Sequence, residues 1–169
     1  MNIAKTAELS SLATLGENVT IDNFSIIEDN VIIGNNVKIG PFCIIKQNAV
    51  IGDDCVFSAY CEIRTNVLIG KNSTFGSRCT ICANTTIGAN VTVKYGFVTT
   101  TLDFESNIDL PAGSVGDKSM IGANVILMPG AKIGSRCMIG ACSQVRDIVP
   151  DEEIWFGNPA KFYKKVEKK

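Results

Sequence analysis

The sequence contains no histidine. This absence excludes metal sites built on imidazole ligands, including the three-histidine type of zinc site. It also excludes the Ser–His and Cys–His pairs that activate many nucleophiles. The seven cysteines do not provide the paired spacing of a zinc finger. The sequence therefore predicts no metal site, and any chemistry must rely on other side chains.

Three further absences narrow the class of protein. Apart from a short basic run in the C-terminal tail, there is no block of basic residues; there is also no signal-peptide-like apolar run near Met1 and no apolar stretch long enough to span a bilayer. The formal net charge is −1, from sixteen basic and seventeen acidic residues. We therefore expect no nucleic-acid partner, no membrane insertion, a cytoplasmic location and, at 169 residues, one domain.

A six-residue repeat runs through most of the chain. Large apolar residues occupy every sixth position from Leu9 to Val93 and again from Val115 to Val145, and a small residue usually stands two positions before each. This period fits neither an amphipathic helix nor separate strands of a sandwich, but it is typical of a solenoid of short strands. Because alternate residues of a strand share a face, both repeated residues are predicted to point inward.

The repeat also explains most of the cysteines. Five of them occupy the small inward position, where a free thiol packs as a small apolar group: Cys43, Cys55, Cys61, Cys79 and Cys137. Cys82 and Cys142 fall outside this position. We therefore predict core cysteines rather than disulfide bonds.

A second period, of eighteen residues, predicts three strands in each coil. Two of the three turns are rich in Asn or Asp, which tolerate left-handed backbone angles, and the third carries a short aromatic ladder. The three series are Asn18, Asn36, Asp54, Asn72 and Asn90; Asn30, Asn48, Asn66 and Asn84; and Phe24, Phe42 and Tyr60. The sequence predicts an all-β triangular prism of about seven coils.

The repeat is interrupted once and then ends. We expect a prism over residues 1–149, with an inserted loop near 96–112 that contains Asp103 and Glu105. Since the loop interrupts a tightly kept repeat, we predict that it has a function. Residues 150–169 are predicted to form a C-terminal extension with a short helix, in which Phe162 and Val166 share one side.

Particular motifs give the repeat a family resemblance. The stretches VIIGNNVKIG and MIGANVILMPGAKIGSRCMIGACSQV, with the Gly-Asn-Pro-Ala-Lys sequence that follows the last coil, resemble the hexapeptide-repeat acyltransferases. The resemblance implies a left-handed parallel β-helix that uses acetyl-CoA as co-substrate. It further implies a homotrimer with active sites between subunits.

The resemblance also implies which residues contact the cofactor. Small side chains at Ala123 and Ala141 match positions whose backbone bonds the pantetheine amides, and Arg146 and Lys161 match positions near the cofactor phosphates. The full implied set is Ala123, Ala141, Arg146, Asn158, Pro159 and Lys161.

The missing histidine bears on the acceptor. A sugar hydroxyl needs a base to remove its proton, whereas an amine with a pKa of about 8 is partly unprotonated at neutral pH. We therefore predict an N-acetyltransferase. Within the family that the chain resembles, this choice implies an enzyme that acts on a nucleotide-linked (dTDP- or UDP-) amino sugar for surface glycan biosynthesis. Asn84 matches an asparagine that the family places near the acceptor amine, although it also belongs to a series of turn asparagines.

Other candidate site residues come from the loop and the middle coils. Related sugar acetyltransferases commonly have a histidine in the loop, where this chain has TTTLDFESN. Asp103 or Glu105 is a candidate to accept the proton or to bind the ammonium form. Tyr60, Arg64 and Arg78 are candidates for stacking on the nucleotide and binding its diphosphate. For Tyr60, packing on Phe42 or against a neighbouring subunit is the alternative.

Two other functions remain open from the sequence. The first is an O-acetyltransferase that uses a loop carboxylate as its base. The second is a non-catalytic β-helix that serves as a structural subunit, which the absence of histidine permits.

Overall fold

A computed structural model describes residues 1–101 and 111–167. The chain winds through short strands, most of them two residues long. In chain order the strands are β1 (Asn2–Ile3), β2 (Glu8–Leu9), β3 (Thr14–Leu15), β4 (Thr20–Ile21), β5 (Ile26–Ile27), β6 (Ile32–Ile33), β7 (Lys38–Ile39), β8 (Ile44–Ile45), β9 (Val50–Ile51), β10 (Val56–Phe57), β11 (Glu62–Ile63), β12 (Leu68–Ile69), β13 (Thr74–Phe75), β14 (Thr80–Ile81), β15 (Thr86–Ile87), β16 (Thr92–Val93), β17 (Val98–Thr99), β18 (Ser114–Val115), β19 (Met120–Ile121), β20 (Ile126–Leu127), β21 (Lys132–Ile133), β22 (Met138–Ile139), β23 (Gln144–Val145), β24 (Ile148–Val149), β25 (Glu153–Gly157) and β26 (Ala160–Lys165).

Every third strand joins the same parallel sheet, which produces the three faces of a prism. Face 1 runs from β1 through β4 to β25, face 2 from β2 through β5 to β23, and face 3 from β3 through β6 to β24. Through the regular coils, partners stand eighteen residues apart, as for Leu68 beside Thr86. The predicted left-handed β-helix is confirmed. It has eight coils rather than seven, because β1, β17 and β24 also take part.

The core is one continuous column of inward side chains. Identical positions stack directly from coil to coil, and the Phe57 and Phe75 rings lie 4.8 Å apart. Ile33, Ile51 and Ile69 are likewise buried. Each buried isoleucine contributes about 1.5–3 kcal/mol of transfer free energy, so stability is distributed along the whole prism.

The three corners of the prism differ in chemistry. The aromatic corner, between faces 1 and 2, contains Phe24, Phe42 and Tyr60, whose rings stack at 5.1 and 5.0 Å as the sequence predicts. The loop corner, between faces 2 and 3, contains Asn84 and precedes the inserted loop. The aspartate corner, between faces 3 and 1, contains residues such as Asp117. At all three corners the third residue of the regular turn has positive φ, as in Phe42, Asn84 and Lys118.

The glycine of the Ile-Gly repeat is required by the next coil at the aspartate corner. Asp117 Oδ1 accepts the Ala89 N–H at 2.8 Å. The same oxygen fills the space that a Cβ on Gly88 would occupy. The space left by Gly88 therefore accommodates the Asp117 carboxylate of the next coil.

The small inward residues, serine and cysteine alike, also donate hydrogen bonds to backbone carbonyls. Ser73 Oγ donates to the Gly88 carbonyl at 2.9 Å, and Cys55 Sγ donates to the Gly70 carbonyl at 3.3 Å from the same column. Burial raises the pKa of the Cys55 and Cys137 thiols. All seven cysteines are free, and the five predicted core cysteines are buried, so that prediction is confirmed.

The predicted C-terminal helix is wrong. Strands β25 and β26 pair as an antiparallel hairpin on the end of face 1. The turn between them falls at the Gly157–Asn158–Pro159 segment, whose last peptide bond is cis. Pairing across this hairpin and packing of Trp155 against the core outweigh the weak helical spacing of Phe162 and Val166. The residues that the structure describes contain no helix of membrane-spanning length.

The coil continues further before the insertion than the repeat indicated. Strand β17 pairs with β14 and β20, so residues 98–99 belong to face 2. The repeat resumes at β18. Asp103 and Glu105 lie outside the described residues.

Candidate functional site

Asn84 lies at the loop corner, in a turn that spans residues 82–85. Its φ is 62°, and its Oδ1 accepts a hydrogen bond from Asn66 Nδ2 at 3.1 Å. Asn66 accepts in the same way from Asn48, which makes a ladder of amides along the corner. Asn84 is the last asparagine of the ladder, because position 102 holds leucine. An exposed amide therefore ends the ladder one coil below the segment that leads into the loop.

Arg64 and Cys82 occupy the same corner, one coil apart. Arg64 Nε lies 3.9 Å from Glu62 Oε1. Burial raises the pKa of the Cys82 thiol, although the positive charge of Arg64 acts in the opposite direction. Of the predicted substrate residues, Arg64 is thus the one that shares the corner of Asn84.

Tyr60 and Arg78 lie at the aromatic corner instead. The Arg78 guanidinium is 5.8 Å from the centre of the Tyr60 ring, which is within cation–π range. The other face of Tyr60 stacks on Phe42. Within one chain, face 2 separates this pair from Arg64 and Asn84.

Ala123 and Ala141 stack in neighbouring coils of the aromatic corner. The Ala123 carbonyl accepts the Cys142 N–H at 2.8 Å, which leaves its second lone pair for another donor. The short side chains leave the backbone approachable. A chain of amides, such as pantetheine, requires such access.

The C-terminal hairpin covers the same corner. Gly157 N–H donates to Ser143 Oγ at 3.0 Å, which ties the hairpin turn to the last coil. Phe156 packs so close to Gly140 that a Cβ there would collide with it. Asn158 and Pro159, both exposed, are therefore held above the coil of Ala141.

Arg146 and Lys161, the two basic residues predicted near the cofactor phosphates, lie close to Asp147 at the loop corner of the last coil. Arg146 Nε donates to Gln144 Oε1 at 2.7 Å, which orients the guanidinium. Lys161 Nζ lies 3.9 Å from Asp147 Oδ2, in the residue next to Arg146. The structure thus divides the predicted cofactor residues into a backbone group at the aromatic corner and a cationic group near the loop corner.

Two structural features of this region were missed by sequence reasoning. Glu153 accepts hydrogen bonds from Trp155 Nε1 and Lys165 Nζ, both at 2.7 Å, and so ties the hairpin together. These bonds, first from Lys165 and then from Trp155, lower the pKa of Glu153. The Thr99 hydroxyl, inside the prism and one coil further on, accepts the Cys82 N–H at 2.7 Å and so contacts the turn of Asn84. The sequence signal for this contact was a threonine, Thr99, at a repeat position that otherwise holds large apolar residues.

Within residues 1–101 and 111–167, no group of three or more His, Cys, Asp or Glu side chains is arranged to hold a metal ion.

Comparisons with known proteins define the class. The family profile of the GMPPB C-terminal domain matches residues 1–102, and that of the bacterial transferase hexapeptide (six repeats) matches residues 113–147. The chain belongs to the hexapeptide-repeat transferase family, and its first 102 residues fall within the family of the GMPPB C-terminal domain.

Curated relatives match over shorter segments. YvoF of Bacillus subtilis, provisionally named an acetyltransferase, is 42% identical over 67 residues, which are 38% of this chain and 39% of YvoF. The galactoside O-acetyltransferase of Lactococcus lactis is 41% identical over 46 residues, 27% of this chain and 22% of that enzyme. The matches span less than half the length of either relative.

Solved structures match over most of the chain. The UDP-N-acetylglucosamine acyltransferase from Campylobacter jejuni has a TM-score of 0.74 at 21% identity, over 97% of this chain and 75% of that one. A mutant of AntD, an N-acyltransferase from Bacillus cereus, was solved in complex with dTDP and coenzyme A. It has a TM-score of 0.60 at 25% identity, over 92% of this chain and 85% of AntD.

Proposed function

We propose that the protein is an acetyl-CoA-dependent N-acetyltransferase that acts on the amino group of a dTDP- or UDP-linked amino sugar for surface glycan biosynthesis. The observation that carries the proposal is an exposed amide, Asn84, at the end of its ladder beside the loop, in a chain without histidine. The likeness to AntD, an N-acyltransferase, supports the same choice.

The proposed chemistry suits the groups present. The amine attacks the thioester carbon, the C–N bond forms, and the C–S bond breaks with release of the thiolate. Since such an amine has a pKa of about 8, the protein need not supply a strong base. Asn84 would orient the amine through the second lone pair of its Oδ1, and the leaving thiolate or a loop carboxylate, Asp103 or Glu105, would receive the proton.

In this proposal the last coils bind the acetyl-CoA that the family implies. The backbone at Ala123 and Ala141 would bond the amides of the pantetheine arm, with Asn158 and Pro159 of the hairpin covering it. Arg146, held by Gln144, and Lys161 would bind phosphate groups. Bound there, acetyl-CoA would supply the activated acetyl group.

We further propose a homotrimer whose active sites lie between subunits. Tyr60 and Arg78 are separated from Asn84 by face 2 within one chain, so a neighbouring subunit could bring the two corners together. Tyr60 and Arg78 of one subunit would then contact the nucleotide beside Arg64 of another. Because both proposed substrates are cytoplasmic metabolites, the cytoplasm is the proposed location.

A paired-acceptor assay tests the proposal. Release of coenzyme A thiol is measured with an amino-sugar nucleotide and with the analogue that has a hydroxyl in place of the amine. We expect release with the amine alone. Equal rates with the two acceptors, or no release across a panel of dTDP- and UDP-amino sugars, would reject it.

An O-acetyltransferase is the second candidate, because the galactoside O-acetyltransferase of Lactococcus lactis is among the matched relatives. This reaction requires a base, and Asp103 or Glu105 would provide it. The Asp103→Asn/Glu105→Gln double variant should then lose nearly all activity toward the hydroxyl analogue. Retention of most of that activity would exclude this version.

A further inference from the structure

Thr99 is an anomaly within the core. The inward column of face 2 is otherwise aliphatic: Leu9, Ile27, Ile45, Ile63, Ile81, Leu127 and Val145. The Thr99 side chain is nevertheless completely buried. Burying a hydroxyl costs free energy unless it is hydrogen-bonded, so its partners indicate what it contributes.

The Thr99 hydroxyl replaces a backbone acceptor. In the coils below, the residue that opens this corner donates its N–H to a carbonyl of the next coil, as Arg64 does to Ile81 at 2.9 Å. The corresponding donor, Cys82 N–H, instead bonds the Thr99 hydroxyl at 2.7 Å. The change falls at Thr99, just before the chain leaves the coil for the loop.

The same hydroxyl also contacts the other end of the turn. Thr99 Oγ1 lies 3.2 Å from Thr85 Oγ1, a second buried hydroxyl. Thr85 N–H in turn bonds the Cys82 carbonyl at 3.3 Å and closes the turn that carries Asn84. One buried oxygen therefore bonds both ends of the four-residue turn.

We propose that Thr99 is a positioning residue, whose hydroxyl fixes the turn that presents Asn84 to the acceptor amine. The inference rests on the proposed function for its effect on the reaction. Its structural part, a turn held by a buried hydroxyl, is independent of any substrate.

The test compares three variants. Thr99→Val removes the hydroxyl at nearly constant shape, Thr99→Ser restores it, and Ser73→Ala is the matched control. Ser73 is also buried, and its Oγ accepts the Val91 N–H at 3.1 Å, but it lies at the aspartate corner. We expect Thr99→Val to lower kcat for acetyl transfer by about tenfold or more, because misplacing a group that orients the substrate slows the reaction. The KM for acetyl-CoA should change by less than about twofold, since that site lies on later coils.

The control variants decide the interpretation. Thr99→Ser and Ser73→Ala should both keep kcat near that of the wild type. Wild-type kcat in Thr99→Val, or an equal loss in Ser73→Ala, would overturn the proposal. If Thr99→Val does not fold, Thr85→Val removes one of the two contacts, and an unchanged kcat in that variant would overturn it as well.

A second readout needs no substrate. The rate of deuterium labelling at the Cys82 amide, followed by mass spectrometry of its peptide, reports opening of the turn, because this N–H donates to the Thr99 hydroxyl. We expect faster labelling in Thr99→Val than in the wild type or in Ser73→Ala. Equal labelling rates would refute the positioning role, whether or not the wild type is active. An inactive wild type would refute only the proposed acetyl transfer.

Discussion

At the scale of single residues, Asn84 combines a structural role with a proposed role in binding the substrate. Its positive φ and its bond to Asn66 make it a turn residue, and its place at the end of the ladder makes it the proposed amine ligand. The sequence could predict both roles but could not separate them, because the same residue type repeats every eighteen positions. A glycine at this φ carries no strain, so it removes the amide while the turn can persist.

We therefore expect Asn84→Gly to lower kcat by about tenfold to a thousandfold, in the range found for polar groups that stabilise a transition state. Asn48→Gly, two coils below in the same ladder, also has positive φ but does not bond Asn84, so it is the matched control and should keep its activity. Steady-state kinetics and thermal unfolding of both variants provide the measurement. Equal activity of the two variants would assign Asn84 to the turn alone.

The inward cysteines offer a test of core hydrogen bonding. Cys55→Ser should keep the bond to the Gly70 carbonyl, because Ser73 makes the equivalent bond one coil further on. Cys55→Ala loses the bond and leaves a small cavity, at a cost of about 1–2 kcal/mol. Urea unfolding measures both variants. If the serine variant is less stable than the alanine variant, this explanation of the small inward position is contradicted.

Hydrogen bonds of this kind could not be predicted from the repeat. The period assigns a residue to the inside, but it does not identify the backbone group of the next coil that the residue meets. Cys55 was therefore predicted as apolar filling. Thr99 departs from the apolar pattern of the repeat, although its hydroxyl bonds the turn of the candidate site.

Among the elements, the C-terminal hairpin departs most from the sequence prediction. Pairing of β25 with β22 depends on the open end of face 1, a tertiary contact that local helical spacing does not encode. Glu153 then joins Trp155 on one strand to Lys165 on the other. The contacts of this carboxylate make the hairpin sensitive to pH.

Because the folded state lowers the pKa of Glu153, its ion pair stabilises the hairpin above the ordinary pKa of 4.5. This contribution is lost as the pH falls through the lower pKa of the folded state. We expect emission from Trp155, the one tryptophan in the chain, to change over that acidic range. The transition should be absent in Glu153→Gln, and an identical transition in the variant would contradict the assignment.

At the scale of the whole molecule, the prism follows directly from the two periods. Every coil repeats the same inward pair and the same turns, so local pattern and global fold agree. The site could be predicted less well, because its groups lie at different corners. Tyr60 and Asn84 fall in adjacent coils of the prism, yet face 2 lies between them.

The aromatic corner is the candidate subunit contact. Phe24, Phe42 and Tyr60 are each about half exposed, and bulky residues at positive φ are strained, so a function is expected of them. If they pack between subunits, Phe42→Ser/Tyr60→Ser should shift the mass in solution from trimer toward monomer. Light scattering measures the mass, with exposed Met120→Ser on face 1 as the control. An unchanged mass in the double variant would remove the aromatic corner from the interface.

The central claim is transfer to nitrogen without a histidine base, and the linkage of the product tests it most directly. The nucleotide product formed from acetyl-CoA and an amino-sugar nucleotide is treated briefly with alkaline hydroxylamine, which cleaves oxygen esters, and is analysed by mass spectrometry. The account predicts that the acetyl group remains, because an amide resists this reagent. Loss of the acetyl group would identify an ester and contradict the account.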